Sequence, residues 1–162
     1  KYEKDEAGYM KKLFEVIGKY SANPIEDRIK IWDVCIFNYL VGNTDNHIKN
    51  FSLVYSEDLK SVRLAPAYDI ISTMIYESST EDMAMSIGGV YNINKIGRES
   101  FARQAKIVGL GNSLAMKRFD TLVQGFERAM NAARLELEEK GFDGLEDICQ
   151  RILASGGIRN FM

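Results

Sequence analysis

The first part of the chain follows the period of an α-helix. Apolar residues three and four positions apart predict an amphipathic helix over about residues 7–20. Asn23, a typical N-cap residue, then starts a second helix that runs to about Val41 and is ended by Gly42. Because residues 31–40 are apolar almost all round, we expect this second helix to be the buried spine of the fold.

The pattern then changes to short apolar runs typical of strands. Residues 51–55 and 61–65 read as two strands, and residues 56–60 read as the turn between them. Pairing of Tyr55 with Ser61 gives the expected register of this antiparallel hairpin. The sequence therefore places one tight β hairpin directly after the spine helix.

The rest of the chain predicts more helix than strand. A short strand at 83–87 and a loop at 90–99 precede a helix at 100–108. Two further helices are expected, a long one from Asn112 or Ser113 to Gly141 and a last one over about 145–154. These patterns predict a mainly α fold with a small β hairpin, as in the C-terminal lobe of a kinase.

The composition is that of an ordinary soluble globular protein. Of the 162 residues, 46% are apolar and 27% are charged. The net charge of −2 provides no basic field, so we expect no direct binding to nucleic acid. No apolar run is long enough to span a membrane, and no membrane partner is expected. Cys35 and Cys149 lie in apolar helical patterns and are expected to be buried free thiols of a reducing, cytoplasmic compartment.

Polar residues with a catalytic spacing follow the spine helix. Asp45 and Asn50 are five positions apart, as in the kinase catalytic loop, where the Asp takes the substrate hydroxyl proton and the Asn holds magnesium. The spacing alone is a weak signal, because Asp45 could simply cap a turn. The hairpin strengthens it, since the expected register sets Asn50 opposite Pro66, and at most ~10 Å of chain separates Pro66 from Asp69. Amide and carboxylate oxygens are suitable magnesium ligands.

Two motifs resemble the HipA family of bacterial serine/threonine kinases: Gly42-x-x-Asp45-x-His47-x-Lys49-Asn50-Phe51-Ser52 and Leu64-x-Pro66-x-Tyr68-Asp69-Ile70-Ile71-Ser72. Lipid kinases share the first motif more loosely. The resemblance implies that Asp45 is the catalytic base and that Asn50 and Asp69 bind Mg²⁺. It also implies contacts with ATP from His47, Lys49, Asn50, Tyr68 and Asp69. For His47, a role in bracing the loop is an equal alternative.

The resemblance also implies a biological role. HipA-like kinases are toxins of toxin–antitoxin pairs, are linked to persistence, and are held by a small DNA-binding HipB-like antitoxin. Their protein substrates include aminoacyl-tRNA synthetases. Two other functions stay open: a non-catalytic lobe that binds an antitoxin or another protein, and a small-molecule phosphotransferase.

The resemblance covers only the C-terminal lobe of the family. Residues 1–162 are expected to form this single lobe, because they contain no glycine-rich phosphate loop and no strand with a nucleotide-pairing lysine. Family members carry those parts in a preceding N-terminal lobe. The isolated chain is therefore expected to fold but not to phosphorylate.

Overall fold

The computed structural model describes Glu3 and residues 8–162. In these residues, α-helices pack around one central helix and two short antiparallel β hairpins lie beside it. The helices are α1 (Tyr9–Tyr20), α2 (Pro24–Val41), α3 (Arg98–Ile107), α4 (Asn112–Glu139) and α5 (Leu145–Ser155). The strands are β1 (Leu53–Tyr55), β2 (Val62–Leu64), β3 (Asp82–Ile87) and β4 (Val90–Asn92). Short 3-10 helices lie at Ile48–Asn50, Thr73–Ile75, Ile93–Lys95 and Gly157–Phe161. The predicted mainly α fold is confirmed; residue 7, the expected start of the first helix, lies outside the described residues.

Helix α2 is the buried centre of the fold, as its sequence predicts. Asn23 caps its start, because the Asn23 side chain accepts a hydrogen bond from the Glu26 N–H. Gly42 ends the helix in the left-handed conformation, with φ 77°. Ile31 and Ile36 have no exposed surface, and both α1 and α4 pack against the helix. The loop that follows therefore leaves from a rigid support.

Aromatic rings join α2 to the helices around it. The Phe101 ring of α3 lies 5.8 Å from the Trp32 ring and 5.2 Å from the Tyr39 ring, centroid to centroid. Phe119 of α4 lies 4.7 Å from Phe101, and Phe161 lies 5.4 Å from Phe119. Aromatic pairs of this geometry stabilise a core beyond the contribution of the apolar area that they bury. Residues near the C-terminus therefore belong to the same core as the spine helix.

The first hairpin differs by one residue from the expected register. Tyr55 of β1 pairs with Val62 of β2 rather than with Ser61. The turn is shorter than expected because the Ser56 N–H donates to the Ser61 carbonyl at 2.9 Å. Leu59 in this turn has φ 58°, a conformation usually signalled by glycine or asparagine. The returning strand is therefore displaced by one residue relative to the loop after α2.

Residues 90–99 are not the loop that the sequence favours. They contain β4, which pairs with β3, and a 3-10 helix, and α3 begins at Arg98. Gly88 and Gly89 form the turn, with φ 61° and 81°. Two successive residues with positive φ are typical of two-residue hairpin turns, so the Gly-Gly pair was the signal for this hairpin.

The two cysteines are free and buried, as predicted. Burial raises the pKa of the Cys35 thiol to about 12, so this thiol stays protonated at neutral pH. Among the described residues, no helix combines the length and the apolar character needed to cross a bilayer.

Candidate active site

The loop after α2 is anchored at its root by hydrogen bonds to two neighbouring segments. The Gly42 carbonyl accepts the Met74 N–H and the Thr73 hydroxyl, each at 3.0 Å. The Thr44 N–H donates to Thr73 Oγ1 at 2.8 Å, and the Thr44 carbonyl accepts the Ala84 N–H of β3 at 2.8 Å. The loop is thus held between β3 and the second 3-10 helix.

The loop turns back on itself so that Asp45 and Asn50 meet. The Asp45 carbonyl accepts the His47 N–H at 2.8 Å and Nδ2 of Asn50 at 3.3 Å. The His47 carbonyl accepts the Asn50 N–H at 2.9 Å. Asn50 is 8% exposed, whereas Asp45 is half-buried. The five-residue spacing therefore brings the expected base and the expected metal ligand into one compact turn.

Asn43 connects Asp69 to the same loop. Its Nδ2 donates to the Asp69 carbonyl at 3.1 Å, and its Oδ1 accepts the Asp45 N–H at 3.2 Å. Asp69 has φ 57°, in the left-handed region that residues other than glycine seldom adopt. Backbone strain of this kind is frequent at functional sites. Asp45, Asn50 and Asp69 are therefore all joined by hydrogen bonds to residues of one loop.

The other predicted nucleotide contacts differ in how open they are. Tyr68 is 43% exposed; its hydroxyl donates to the Lys49 carbonyl at 3.0 Å and lies 2.6 Å from Ser52 Oγ. The side chain of Lys49 is exposed, whereas His47 is only 7% exposed. The arrangement presents Tyr68 and Lys49 to solvent beside the loop, whereas His47 is buried within it. Contact of these residues with a nucleotide stays a prediction.

Asn50 and Asp69 fit a magnesium ion by the chemistry of their oxygens. The hydrogen bond from Asn50 to Asp45 uses Nδ2, so Oδ1 is the Asn50 atom that could bind a cation. Asp69 provides an exposed carboxylate. In the part of the chain that the structure describes, no three His, Cys, Asp or Glu side chains form a metal-binding group. Magnesium commonly takes only one or two protein side chains and completes its shell with water and phosphate oxygens, which agrees with this pair.

A cavity of about 420 Å³ opens beside Asn50, between α2 and the base of the first hairpin. Its walls are largely apolar and include Val34, Phe51 and Pro66. Asp33, the carboxylate in this lining, is paired with Arg118 of α4. A largely apolar cavity with few polar groups is typical of a small-molecule site.

The sequence-based prediction did not include Asn43, although Asn38 in the preceding helix was a signal for it. Asn38 lies in the apolar stretch of the spine helix, and a buried amide there requires hydrogen-bond partners. Its partners include Asn43, since Asn38 Oδ1 accepts Nδ2 of Asn43 at 2.6 Å. The partnership of Thr44 with Thr73 had no comparable signal, because 29 residues separate them and serine and threonine are frequent in that region.

Comparisons with known proteins agree with the resemblance of the two motifs. The sequence matches the HipA-like C-terminal domain over residues 1–132. It is 35% identical over 161 residues to Y4mE of Sinorhizobium fredii, which is named as a candidate kinase; the match covers 99% of this chain and 35% of Y4mE. It is 26% identical over 119 residues to the serine/threonine-protein kinase toxin HipA of Shewanella oneidensis, covering 74% of this chain and 27% of the toxin.

The fold matches a solved structure of the toxin–antitoxin system HipA, HipB and its operator DNA from Shewanella oneidensis MR-1. The TM-score is 0.77 at 24% sequence identity, over 93% of this chain and 35% of that chain. At this identity the likeness shows the fold alone. The chain spans about a third of the length of Y4mE and of the solved chain, each covered to 35%.

Proposed function

This chain belongs to the HipA-like C-terminal domain family, and on that premise we propose that it is the catalytic lobe of a serine/threonine protein kinase. The reaction is transfer of the ATP γ-phosphate to a protein hydroxyl. The observation that carries the proposal is the convergence of three residues on one loop. Asn50 bonds to the Asp45 carbonyl, and Asn43 bonds to both Asp45 and Asp69.

Asp45 acts as the general base. Its half-buried carboxylate follows the end of the rigid helix α2 and can take the proton of a substrate hydroxyl as the new O–P bond forms and the bond to the ADP oxygen breaks. The backbone carbonyl of Asp45 is occupied by His47 and Asn50, which fixes the peptide unit next to the base. Positioning of this kind supplies most of the catalysis in phosphoryl transfer.

Asn50 and Asp69 would hold the magnesium ion. When bound, this ion neutralises negative charge on the phosphates. Two features position these ligands before the ion binds: Asn50 is buried and bonded to the Asp45 carbonyl, and Asp69 has a left-handed backbone conformation. Lys49 supplies an exposed ammonium for phosphate oxygens, and Tyr68 an exposed ring for the nucleotide.

We extend the proposal to the biological role by family likeness. The complete protein is a cytoplasmic toxin that a HipB-like antitoxin inhibits, and its substrate is a protein such as an aminoacyl-tRNA synthetase. The lobe requires an N-terminal lobe for ATP binding and is inactive alone. A small-molecule phosphotransferase would be favoured by a broad acidic groove, whereas the carboxylate lining the nearby cavity, Asp33, is paired with Arg118.

Radiolabelled phosphate transfer tests the proposal in the protein encoded by the complete gene. Asp45→Asn should keep nucleotide binding and reduce transfer by ~10² or more, as for loss of a positioned base. Asp58→Asn is the matched control, because Asp58 is an exposed carboxylate in the turn of the adjacent hairpin, and it should leave transfer unchanged.

Two results would count against the proposal. Near-normal transfer in Asp45→Asn would remove Asp45 from its role. Absence of transfer to any protein by the unmodified protein, together with tight antitoxin binding, would favour the non-catalytic binding lobe instead.

A further inference from the structure

We propose that Asn43 is a positioning residue that fixes the backbone of Asp45 relative to the backbone of Asp69. This inference rests on the proposed phosphoryl transfer, because it concerns the separation between the base and the metal-binding carboxylate. Asn43 would contact neither the substrate nor the ion. It would act through the two residues that do.

The Asn43 side chain uses each of its polar groups in one network. Oδ1 accepts the Asp45 N–H at 3.2 Å, and Nδ2 donates to the Asp69 carbonyl at 3.1 Å and to Asn38 Oδ1 at 2.6 Å. An amide has two N–H donors, so both are used. Asn38 and Asn43 are each 1% exposed. Water therefore does not compete for these bonds, which makes their loss costly.

Asn38 fixes the orientation of this amide. Its Nδ2 donates to the Val34 carbonyl at 2.9 Å, so its Oδ1 is the atom that faces Asn43. The Nδ2 of Asn43 must then face Asn38, which leaves the Oδ1 of Asn43 to accept the hydrogen bond from the Asp45 N–H. The backbone N–H of Asn43 also donates to the Asn38 carbonyl at 2.8 Å. The spine helix thus sets the position of the bridging amide.

The chain between Asp45 and Asp69 joins the two residues by a long route, anchored to α2 through Arg63 and Leu64 of β2. It runs through β1 and β2, and all three residues of β1 are exposed. An exposed two-stranded hairpin is only marginally stable by itself. Asn43 bypasses this long route and joins the two residues directly. Small displacements of catalytic groups can cost as much as ~10² in rate, so this short connection matters for function.

Removal of the Asn43 amide should leave the loop attached. The bonds from Met74 to Gly42 and from Thr44 to Thr73 do not involve its side chain. These bonds keep the segment after Asp69 against the loop. An Asn43 variant should therefore fold, while the spacing of Asp45 and Asp69 relaxes.

The test compares Asn43→Ala with Gln104→Ala in the protein encoded by the complete gene. Gln104 is a matched control, because it is also a buried amide, and its Oε1 accepts the Gly88 N–H at 2.8 Å in the turn of the second hairpin. Asn43→Ser is the second variant if Asn43→Ala does not fold; its hydroxyl can satisfy one buried neighbour but is too short to join Asp45 to Asp69.

The main readout is the Mg²⁺ concentration that gives half-maximal transfer, measured beside kcat. We expect Asn43→Ala to lower kcat by about 10- to 100-fold. We expect the half-maximal Mg²⁺ concentration to rise severalfold, because Asp69 is displaced. Gln104→Ala should lower Tm without changing the Mg²⁺ requirement. A purely structural role would give the Asn43 variants the same pattern as Gln104→Ala, and this result would overturn the inference.

Hydrogen exchange provides a readout that does not depend on activity. The Asp45 N–H should exchange slowly in the unmodified protein and faster in Asn43→Ala, measured by mass spectrometry of the peptides that contain it. Rapid exchange in the unmodified protein would overturn the inference. If the unmodified protein transferred no phosphate, the proposed function would fail, and the exchange comparison would still decide whether Asn43 holds the Asp45 backbone.

Discussion

Asp27, which has no exposed surface, holds Arg63 of the first hairpin through two hydrogen bonds, from Nε at 3.0 Å and from Nη2 at 2.9 Å. The same carboxylate accepts the Leu64 N–H at 2.9 Å and the Ser21 hydroxyl at 2.6 Å. Asp27 lies in the first turn of α2. The N-terminal turn of the spine helix therefore anchors the hairpin. The candidate catalytic loop follows the C-terminal end of the same helix.

This anchor predicts a stability that depends on pH. Hydrogen bonds from Arg63 hold the pKa of Asp27 well below its usual range, despite burial. A carboxyl group whose pKa is lower in the folded state than in the unfolded state stabilises the fold at pH values above its usual pKa of about 4. This stabilisation decreases as the pH falls below about 4 toward the folded-state pKa. Asp27→Asn should therefore lower the free energy of unfolding by about 2 kcal/mol at pH 7 and by less at pH 3.

Urea unfolding at the two pH values measures this difference. Asp143→Asn is the control, because Asp143 is an exposed carboxylate in the segment between α4 and α5. An equal loss of stability at pH 7 and pH 3 in Asp27→Asn would show that the charge of Asp27 is not what anchors the hairpin.

The sequence predicts the parts of this fold that local chemistry decides. The spine helix follows from its apolar run, from Asn23 at its start and from Gly42 at its end, and all three features are as expected. The hairpin register depends instead on Leu59, whose positive φ has no sequence signal, and so the expected register was wrong by one residue. The spacing of polar residues was enough to choose the catalytic candidates. The hydrogen bond from Asn43 to Asp69 could not be predicted in this way, because these residues are 26 positions apart.

The left-handed backbone of Asp69 predicts different effects for two substitutions. Asn adopts positive φ more readily than most residues, whereas β-branched Val does so with strain. Asp69→Asn should change the free energy of unfolding by less than about 0.5 kcal/mol, and Asp69→Val should lower it by about 1–3 kcal/mol. Both should impair phosphate transfer, because both remove the carboxylate. Equal stability of the two variants, measured by urea unfolding, would argue against the strained conformation.

Gly157 in the C-terminal 3-10 helix packs so closely against Tyr39 that a larger residue should not fit. A Cβ atom on Gly157 would lie 2.6 Å from atoms of the Tyr39 ring, so Gly157→Ala must displace the spine helix or the C-terminal segment. We expect a loss of about 1–3 kcal/mol in the free energy of unfolding. Gly18→Ala is the control, because nothing lies within 4 Å of its Cβ position on α1, and this change should add about 0.5–1 kcal/mol. Stability unchanged in Gly157→Ala would show that these residues do not pack as described.

We expect the loop after α2 and Asp69 to form one metal-assisted phosphoryl-transfer site. The most direct measurement is anomalous diffraction from crystals of the protein encoded by the complete gene, grown with Mn²⁺ and a non-hydrolysable ATP analogue. Mn²⁺ accepts the oxygen ligands that Mg²⁺ prefers. We predict an anomalous peak that marks a Mn²⁺ ion bound to Asn50 Oδ1 and to the Asp69 carboxylate, with the terminal phosphate of the analogue facing Asp45. A nucleotide-bound Mn²⁺ peak away from both Asn50 and Asp69 would contradict it.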